Sequence, residues 1–207
     1  MAPFRGWPVE AVEFFEGLEA DNTKVYWTEH RAVYDGKVHA PMAALLAELA
    51  PEFGDGRIFR PYRDVRFSAN KTLYKTNIAA NNPAGYISLS SEALGVGSGL
   101  YMPGPEELAR FRAAVADDRS GPELVGIVAA LARKKIATHA HEVLKTVPRG
   151  YPKDHPRVDL LRYKGITAWQ EWPVGAWLGT ASAKRRIVDF LHASAPLREW
   201  LAAHVSG

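Results

Sequence analysis

The chain has 207 residues, 47% of them hydrophobic and 24% charged, so it is long enough to bury a core and lacks the bias of disordered or collagen-like sequences. It contains no cysteine, which excludes disulfides, thiolate metal sites and cysteine nucleophiles and fits a reducing compartment. With no apolar signal region and no stretch of roughly 18 apolar residues, we expect one soluble, cytoplasmic globular domain over residues 1–207 and no membrane partner.

The net charge of +3 is unevenly distributed along the chain. Residues 57–76, the first basic segment, carry six basic side chains and one acid, a sum of +5. Residues 145–164, the second basic segment, carry six basic side chains and two acids, a sum of +4. The rest of the chain therefore carries −6. This distribution favours a focused cationic site over a surface built for long polyanions.

The N-terminal quarter has helical periodicity. Pro8, followed by apolar residues at helical spacing, predicts a helix over about residues 8–20. The pattern resumes over residues 24–50 in two pieces, and Gly36 and Pro41 mark the predicted interruption.

Residues after Pro51 change character, because Gly54 and Gly56 break the helix and β-favouring runs follow. These runs predict a small, mostly antiparallel sheet. They span residues 57–60, 65–67, 86–90 and 94–102.

The C-terminal half returns to helix. Pro105 and Pro122 stand at the starts of two helical patterns, and Pro196 divides two more. Between these patterns, the second basic segment reads as a structured loop that leads into a short helix near residues 158–162, and residues 167–172 form a last strand. Helices, then strands, then helices without βαβ alternation predict an α+β fold with several helices packed on the sheet.

The first basic segment is dense in donors suited to anionic oxygens. Arginine recurs at every third position there, and guanidinium forks match phosphate and carboxylate oxygens bidentately. Lysines add point charges, and hydroxyls lie beside them. The predicted ligand-binding residues of this segment are Arg60, Arg63, Arg66, Ser68, Lys71, Tyr74, Lys75 and Thr76.

An alternative for this segment is architectural. Asp64 can neutralise Arg63 or Arg66 within a structural salt-bridge network, or the segment can form a solvated β-ribbon face. Pro61 argues against a regular strand here.

The second basic segment offers further candidates. Arg149 and Tyr151 are predicted to bind the ligand, since a tyrosine hydroxyl can donate to an oxyanion. His155 can serve as an acid or base near neutral pH, although a histidine beside a proline is more often a hydrogen bonder that stabilises its loop. The candidate catalytic residues are therefore Asp64, Tyr74 and His155.

Residues 63–76, with the sequence RDVRFSANKTLYKT, resemble the signature of an uncharacterised bacterial and fungal family, domain of unknown function 2461. The resemblance extends, in order, across about four-fifths of the chain. At two central positions the chain departs from the family pattern: Asn70 stands where an Asp is usual, and Leu73 where a Pro is usual. The resemblance implies a fold and a site, but no activity is established for the family. Its further matches are residues 4–7, 97–103, 144–151 and 154–165.

Three other patterns have a functional and a structural interpretation. His139 and His141 could begin a metal site, but nothing completes it at a recognised spacing, so we expect no metal or other cofactor. The glycine run at residues 95–99 favours close strand packing or backbone approach to a ligand. The tryptophans could stack bases or fill the core; they are Trp169, Trp172 and Trp177.

The sequence thus predicts a basic pocket for a small anionic ligand bearing phosphate or carboxylate, either in an enzyme or in a binding protein. The two basic segments are predicted to meet in space, because an acidic body gains by concentrating its cations where a ligand neutralises them. Two alternatives stay open. The basic segments could bind nucleic acid, or Arg and Tyr could anchor a non-catalytic protein interface.

Overall fold

The computed structural model of the chain describes residues 3–63 and 72–206. A π-helical segment (Tyr34–His39) joins α3 to α4, and a 3-10 turn (Ala176–Gly179) precedes α8. The α-helices are α1 (Val9–Ala20), α2 (Lys24–Glu29), α3 (Arg31–Val33), α4 (Ala40–Phe53), α5 (Pro105–Ala116), α6 (Ser120–Arg133), α7 (Val158–Leu161), α8 (Ser182–Ala193) and α9 (Ala195–His204).

Within the described residues, six strands form one antiparallel sheet in the order β1-β2-β3-β4-β6-β5. With helices on either side of the strands in sequence, this architecture confirms the predicted α+β class. The strands are β1 (Arg57–Ile58), β2 (Asn77–Asn82), β3 (Gly85–Ser90), β4 (Ala93–Leu100), β5 (Ala137–His139) and β6 (Ile166–Pro173).

The chain divides into two compact units. Unit 1 comprises residues 1–96 and 171–189, and unit 2 comprises residues 97–170 and 190–207. Strands β4 and β6 contribute residues to both units. That the chain forms one domain stays a prediction.

The core of unit 1 follows from helical and strand periodicity. The apolar stripe of α1 places Phe14 and Leu18 inside, and that of α4 places Met42 and Leu49 inside. On β3, Ile87 is fully buried while its neighbours along the strand are partly exposed. Burial of each such side chain contributes about 1.5–3 kcal/mol of transfer free energy.

The core of unit 2 forms around Trp200 of α9. Its ring packs edge to face against Phe111 of α5 with centroids 6.3 Å apart, and its Nε1 donates to the carbonyl of Ser120 at 2.9 Å. Leu124 of α6 is fully buried in the same unit. The indole thus fills apolar space while its only polar atom is satisfied.

The predicted break at Gly36 and Pro41 requires correction. The helical path pauses at His30 and then continues from α3 through the π-helical segment into α4. The amide of Ala40 donates to the carbonyl of Asp35, one residue further back than in an α-helix. Pro41 has no N–H to donate, and this wider turn before it lets the chain remain helical.

Strand β2 lacked a sequence signal. Its residues, NIAANN, have low strand propensity, yet β2 pairs with β1 on one side and β3 on the other. Pairing on both edges and burial of Ile78 and Ala80 outweigh the local propensity. Sequence propensity reports only the isolated segment, so the sequence did not predict this strand.

In the ranges that the structure describes, no helix combines the length and apolar character needed to cross a membrane. The predicted short helix near residues 158–162 is confirmed as α7. The predicted strand at residues 65–67 lies outside the described residues.

Candidate anion-binding site

The first basic segment contributes an antiparallel ribbon to unit 1. Tyr62 and Tyr74 form a β-bridge, the amide of Arg63 donates to the carbonyl of Leu73 at 3.0 Å, and the amide of Lys75 donates to the carbonyl of Pro61 at 2.8 Å. The ribbon therefore brings the residues on either side of the undescribed stretch together. Four predicted residues lie outside the described residues: Asp64, Arg66, Ser68 and Lys71.

The two faces of this ribbon carry different chemistry. Consecutive side chains of extended backbone point to opposite faces, so Tyr74 and Lys75 diverge. The Tyr74 ring stacks on Trp27, with centroids 4.5 Å apart and planes inclined by 9°. The Lys75 Nζ instead lies 5.7 Å from the ring centroid of Phe59. We call the side of Lys75 and Phe59 the cationic face and the side of Tyr62 and Tyr74 the aromatic face.

The cationic face concentrates like charges. The pKa of Lys75 is lowered, first by partial burial and then by the positive charges of Arg60 and Arg63. Among the described residues no carboxylate forms an ion pair with any of these three side chains. Their mutual repulsion is the electrostatic condition that a bound anion would relieve.

Tyr74 and Thr76, two further residues predicted to bind the ligand, differ from the three cations in burial and position. Tyr74 is 4% exposed, and burial, followed by the neighbouring Tyr62, raises the pKa of its hydroxyl. At neutral pH that hydroxyl is a donor and not a base. Thr76 is partly exposed, directly before β2.

The aromatic face packs against α2 and the π-helical segment. Trp27 lies 4.8 Å from Tyr34 and 6.0 Å from Tyr62, centroid to centroid. Arg31 lies over the Trp27 ring at 5.6 Å and pairs with Asp35 at 2.9 Å. Burial raises the pKa of Tyr34 to about 12, against the weaker opposing effect of the Arg31 charge.

Asn22 fixes the ribbon to the helices. Its side chain mimics a strand partner, accepting from the amide of Tyr74 at 2.9 Å and donating to the carbonyl of Tyr74 at 3.2 Å. The sequence gives no signal for the roles of Asn22 and Trp27 here, because neither carries a charge and their contacts span about fifty residues of sequence. Together they determine which face of the ribbon turns outward.

The second basic segment, in unit 2, is a succession of turns. Gly150 has a φ of 90° at the third position of a turn closed by the amide of Tyr151 and the carbonyl of Pro148, 3.4 Å apart. A positive φ at that position is typical of a type II turn and favours glycine. Arg149 lies exposed at the second position, and Tyr151 is partly exposed.

His155 stabilises the start of α7. Its Nδ1 accepts from the amide of Arg157 at 3.0 Å, and its carbonyl accepts from the amide of Val158 at 2.9 Å. This is the loop-stabilising interpretation that the sequence left open. A catalytic role for His155 stays a prediction, and so does the convergence of the two basic segments, each of which we describe within its own unit.

Arg157 is a structural cation that the sequence did not distinguish from its neighbours. Its side chain is 9% exposed and donates to the carbonyls of Val115 and Ala116, at 2.7 and 2.8 Å, where α5 ends. It also pairs with Asp118 at 3.2 Å. The last carbonyls of a helix lack intrahelical donors, and this guanidinium supplies them.

The aromatic residues after residue 168 contact their own chain. Arg186 lies 5.8 Å from the ring centroid of Trp172 and 4.4 Å from that of Trp177. A Cβ added to Gly97 would lie 2.6 Å from the Trp169 ring, so β4 and β6 pack closely there. Close strand packing is one of the two uses predicted for the glycine run. Base stacking by these tryptophans has no support in this arrangement.

His139 and His141, the two histidines that could begin a metal site, occupy exposed positions in and beside β5. The Nδ1 of His141 lies 3.3 Å from the Tyr101 hydroxyl, and the carbonyl of His139 accepts from the Thr167 hydroxyl. Within residues 3–63 and 72–206, no group of three or more His, Asp or Glu side chains could hold a metal ion.

Two grooves are found within the described residues, one in each unit. One of about 480 Å³ in unit 1 is bordered by α4 and β1 and includes Arg57 of the first basic segment. The other, of about 560 Å³ in unit 2, is lined by Arg110, Arg119 and His204 among others. Arg60, Arg63 and Lys75 are not among the residues that line either groove.

The fold and the ribbon define an α+β protein with a clustered cationic surface. Residues 10–200 match the family described as "Conserved hypothetical protein (DUF2461)". The chain belongs to this family, which confirms the resemblance found in the sequence. A search of curated proteins found no match to the chain.

Proposed function

We propose that the protein binds a small anionic ligand, bearing phosphate or carboxylate, on the cationic face of the ribbon. One observation carries the proposal: the ribbon pairing sets Lys75 opposite Pro61, which adjoins Arg60, and two residues from Leu73, which is opposite Arg63, so three cations lie together. Within the described ranges no carboxylate forms an ion pair with them. Partial burial and the charges of Arg60 and Arg63 lower the pKa of Lys75, which agrees with this placement. A ligand with two or three anionic oxygens satisfies both guanidinium forks and the ammonium together.

The charge of the remaining chain supports a small ligand over a long polyanion. Outside the two basic segments the sequence carries −6, so an extended polyanion meets repulsion beyond the cationic face. A compact anion gains the attraction of the cluster without that repulsion. Arg66, Ser68, Lys71, Arg149 and Tyr151 are proposed as further ligand contacts from the sequence alone.

Binding is better supported than catalysis. Tyr74 turns to the face opposite Lys75 and holds its proton at neutral pH, while His155 uses its Nδ1 within its own loop. These contacts use Tyr74 in aromatic packing and His155 in its own loop, and Asp64 lies outside the described residues. The proposal therefore concerns recognition of an anion, and it assigns no reaction.

Ligand-induced stabilisation tests the proposal directly. We expect inorganic phosphate, sulfate or citrate to raise the melting temperature of the wild type. Saturation at about 100 times Kd corresponds to about 2.7 kcal/mol of added stability. Arg63→Gln and Lys75→Gln should lose most of this response. Lys134→Gln, at an exposed position after α6, is the matched control and should keep it.

The result that would overturn the proposal is equally specific. If all three variants respond to the anions as the wild type does, the stabilisation arises elsewhere. The proposal also fails if none of the anions raises the melting temperature of the wild type by more than sodium chloride does at the same ionic strength. In that case the cationic face is not an anion site.

A further inference from the structure

Two exposed apolar side chains flank the cations of the ribbon. Phe59 is 36% exposed and Leu73 is 44% exposed. Leu73 is paired with Arg63 through the hydrogen bond between the Arg63 amide and the Leu73 carbonyl, and Lys75 lies over Phe59. Arg63 and Leu73 are opposite each other and Lys75 is two residues beyond Leu73, so these three side chains share one side of the ribbon. The contact of Lys75 with Phe59 places the Phe59 ring beside them, so apolar and cationic groups adjoin there.

Phe59 is held in place as a platform. Its amide donates to the carbonyl of Ala79 at 2.8 Å, which extends the pairing of β1 with β2 by one residue. Its ring lies 6.2 Å from that of Tyr86 on β3, centroid to centroid. An aromatic ring fixed by backbone and neighbour, yet more than one-third exposed, costs little entropy when a ligand packs on it.

We propose that the anionic ligand is a phosphorylated compound with an aromatic ring, of the mononucleotide class. Its phosphate contacts Arg60, Arg63 and Lys75, and its ring packs on Phe59. This inference rests on the proposed function, since it specifies the ligand of the same site. It goes further because it requires the affinity for the ligand to depend on the ligand's aromatic ring as well as on its phosphate charge.

The position of Lys75 links the two halves of such a ligand. Its Nζ lies over Phe59, 5.7 Å from the ring centroid, so an anion bound by this ammonium lies beside the ring. A charge-assisted bond to phosphate is stronger than an exposed cation–π contact, so Lys75 turns to the phosphate and uncovers the ring face. The base then takes the position that the ammonium leaves.

A free nucleotide and a single-stranded nucleic acid share this chemistry, because nucleic-acid sites also combine cations with stacking aromatics. We commit to the free nucleotide. The tryptophans that could continue a stacking path are engaged with Arg186 and Gly97, and the body of the chain is acidic. A longer nucleic acid therefore gains no further stacking from these tryptophans and no further attraction from the acidic remainder of the chain.

Calorimetric titration of the full chain with AMP, ribose 5-phosphate, inorganic phosphate and a ten-nucleotide single strand tests the proposal. We expect AMP to bind about 5- to 150-fold more tightly than ribose 5-phosphate, the range that stacking of one base provides. Phe59→Leu, which keeps an apolar side chain but removes the ring, should abolish that difference, so that AMP binds no more tightly than ribose 5-phosphate. Leu73→Ala is the matched apolar control and should preserve the preference for AMP.

Each outcome distinguishes this inference from the proposed function. Equal affinities for AMP and ribose 5-phosphate would overturn the aromatic class while leaving anion binding intact. Failure of every phosphate compound to bind would overturn both. If the ten-nucleotide strand binds far more tightly than AMP, with affinity falling steeply as salt increases, the occupant is nucleic acid and the commitment to a free nucleotide is wrong.

Discussion

At the scale of single residues, neighbours decide what a charged side chain does. Lys75 and Arg157 both belong to the basic segments, and sequence alone gives them the same charge and similar surroundings. In the structure Lys75 faces other cations, whereas Arg157 is enclosed by helix-terminal carbonyls. Arg157 therefore serves stability, whereas Lys75 is the residue for which we propose a ligand.

Removing the charge of Lys75 should not destabilise the protein. Its pKa in the fold is lower than the ordinary value of 10.5, so the unfolded chain binds the proton more strongly. Wild-type stability should therefore rise as pH increases through the lowered pKa towards 10.5, and Lys75→Gln should flatten that rise. At pH 7 we expect an unchanged or higher melting temperature for Lys75→Gln, measured without added anions.

A large loss of stability in Lys75→Gln would contradict this prediction. Breaking a buried ion pair strands its partner and costs on the order of 3 kcal/mol. Such a loss, with no lost response to anions, would support the structural network that includes Asp64. Lys134→Gln again provides the baseline for an exposed lysine.

Arg157→Gln should destabilise unit 2. The shorter side chain leaves the carbonyls of Val115 and Ala116 without a donor, at a cost of about 1–3 kcal/mol. Arg149→Gln, in the exposed turn of the same segment, should change stability by less than about 0.5 kcal/mol. Urea denaturation measures both, and equal effects for the two variants would contradict the assigned role of Arg157.

At the scale of elements, short polar contacts connect segments that are distant in sequence. The Glu48 carboxylate of α4 accepts from the amide of Phe4 at 2.7 Å and from the Lys184 ammonium of α8 at 2.8 Å. Phe4 itself packs edge to face on Trp7 with centroids 5.0 Å apart. One side chain thus holds the N-terminal segment and α8 to α4 within unit 1.

Glu48→Ala should cost about 1–2 kcal/mol at neutral pH, a value reduced for partial exposure of the pair. The Lys184 and Phe4 hydrogen bonds lower the pKa of Glu48 below 4.5. A lowered carboxyl pKa stabilises the fold above its unfolded value, and this stabilisation is lost as pH falls through the folded value. The melting temperatures of wild type and variant should therefore differ at pH 7 and converge below pH 4.5.

Convergence of the two melting temperatures at low pH would show that the charge of Glu48 provides the stabilisation. Glu16→Ala, at an exposed position of α1, controls for the general effect of acid. If the gap between wild type and Glu48→Ala persists at low pH, the carboxylate contributes through packing and not through its charge.

At the scale of the whole molecule, charge is separated along the chain. Two segments with a sum of +9 stand against −6 elsewhere, and the segments belong to different compact units. Such a distribution concentrates an attractive potential for anions without making the whole surface cationic.

Added zinc and chelators should leave the melting temperature unchanged. The part of the chain that the structure describes contains no cluster of metal ligands, and a structural metal would contribute its binding free energy to folding. Thermal melts with zinc chloride and with EDTA measure this. A reproducible rise with zinc that is lost in His139→Ala or His141→Ala would contradict the prediction.

The sequence by itself determined the elements that periodicity encodes. Apolar spacing and flanking prolines predicted α1, α5 and α9 close to their observed positions, because amphipathic helices carry their burial pattern locally. It also determined where cations concentrate, since charge is a property of the residues themselves. Strand β2 escaped prediction because pairing on both edges, and not local propensity, stabilises it.

Only the tertiary structure decided what those cations face. The contact of Asn22 with Tyr74, and the stacking of Tyr74 on Trp27, turn Lys75 to the opposite side of the ribbon beside Phe59. These contacts join residues about fifty positions apart, and no local pattern records them. The physical reason is that pairing between distant segments determines the side of the ribbon on which a side chain lies, how deeply it is buried and which charges surround it. Residue identity and periodicity, in contrast, are properties of a single segment.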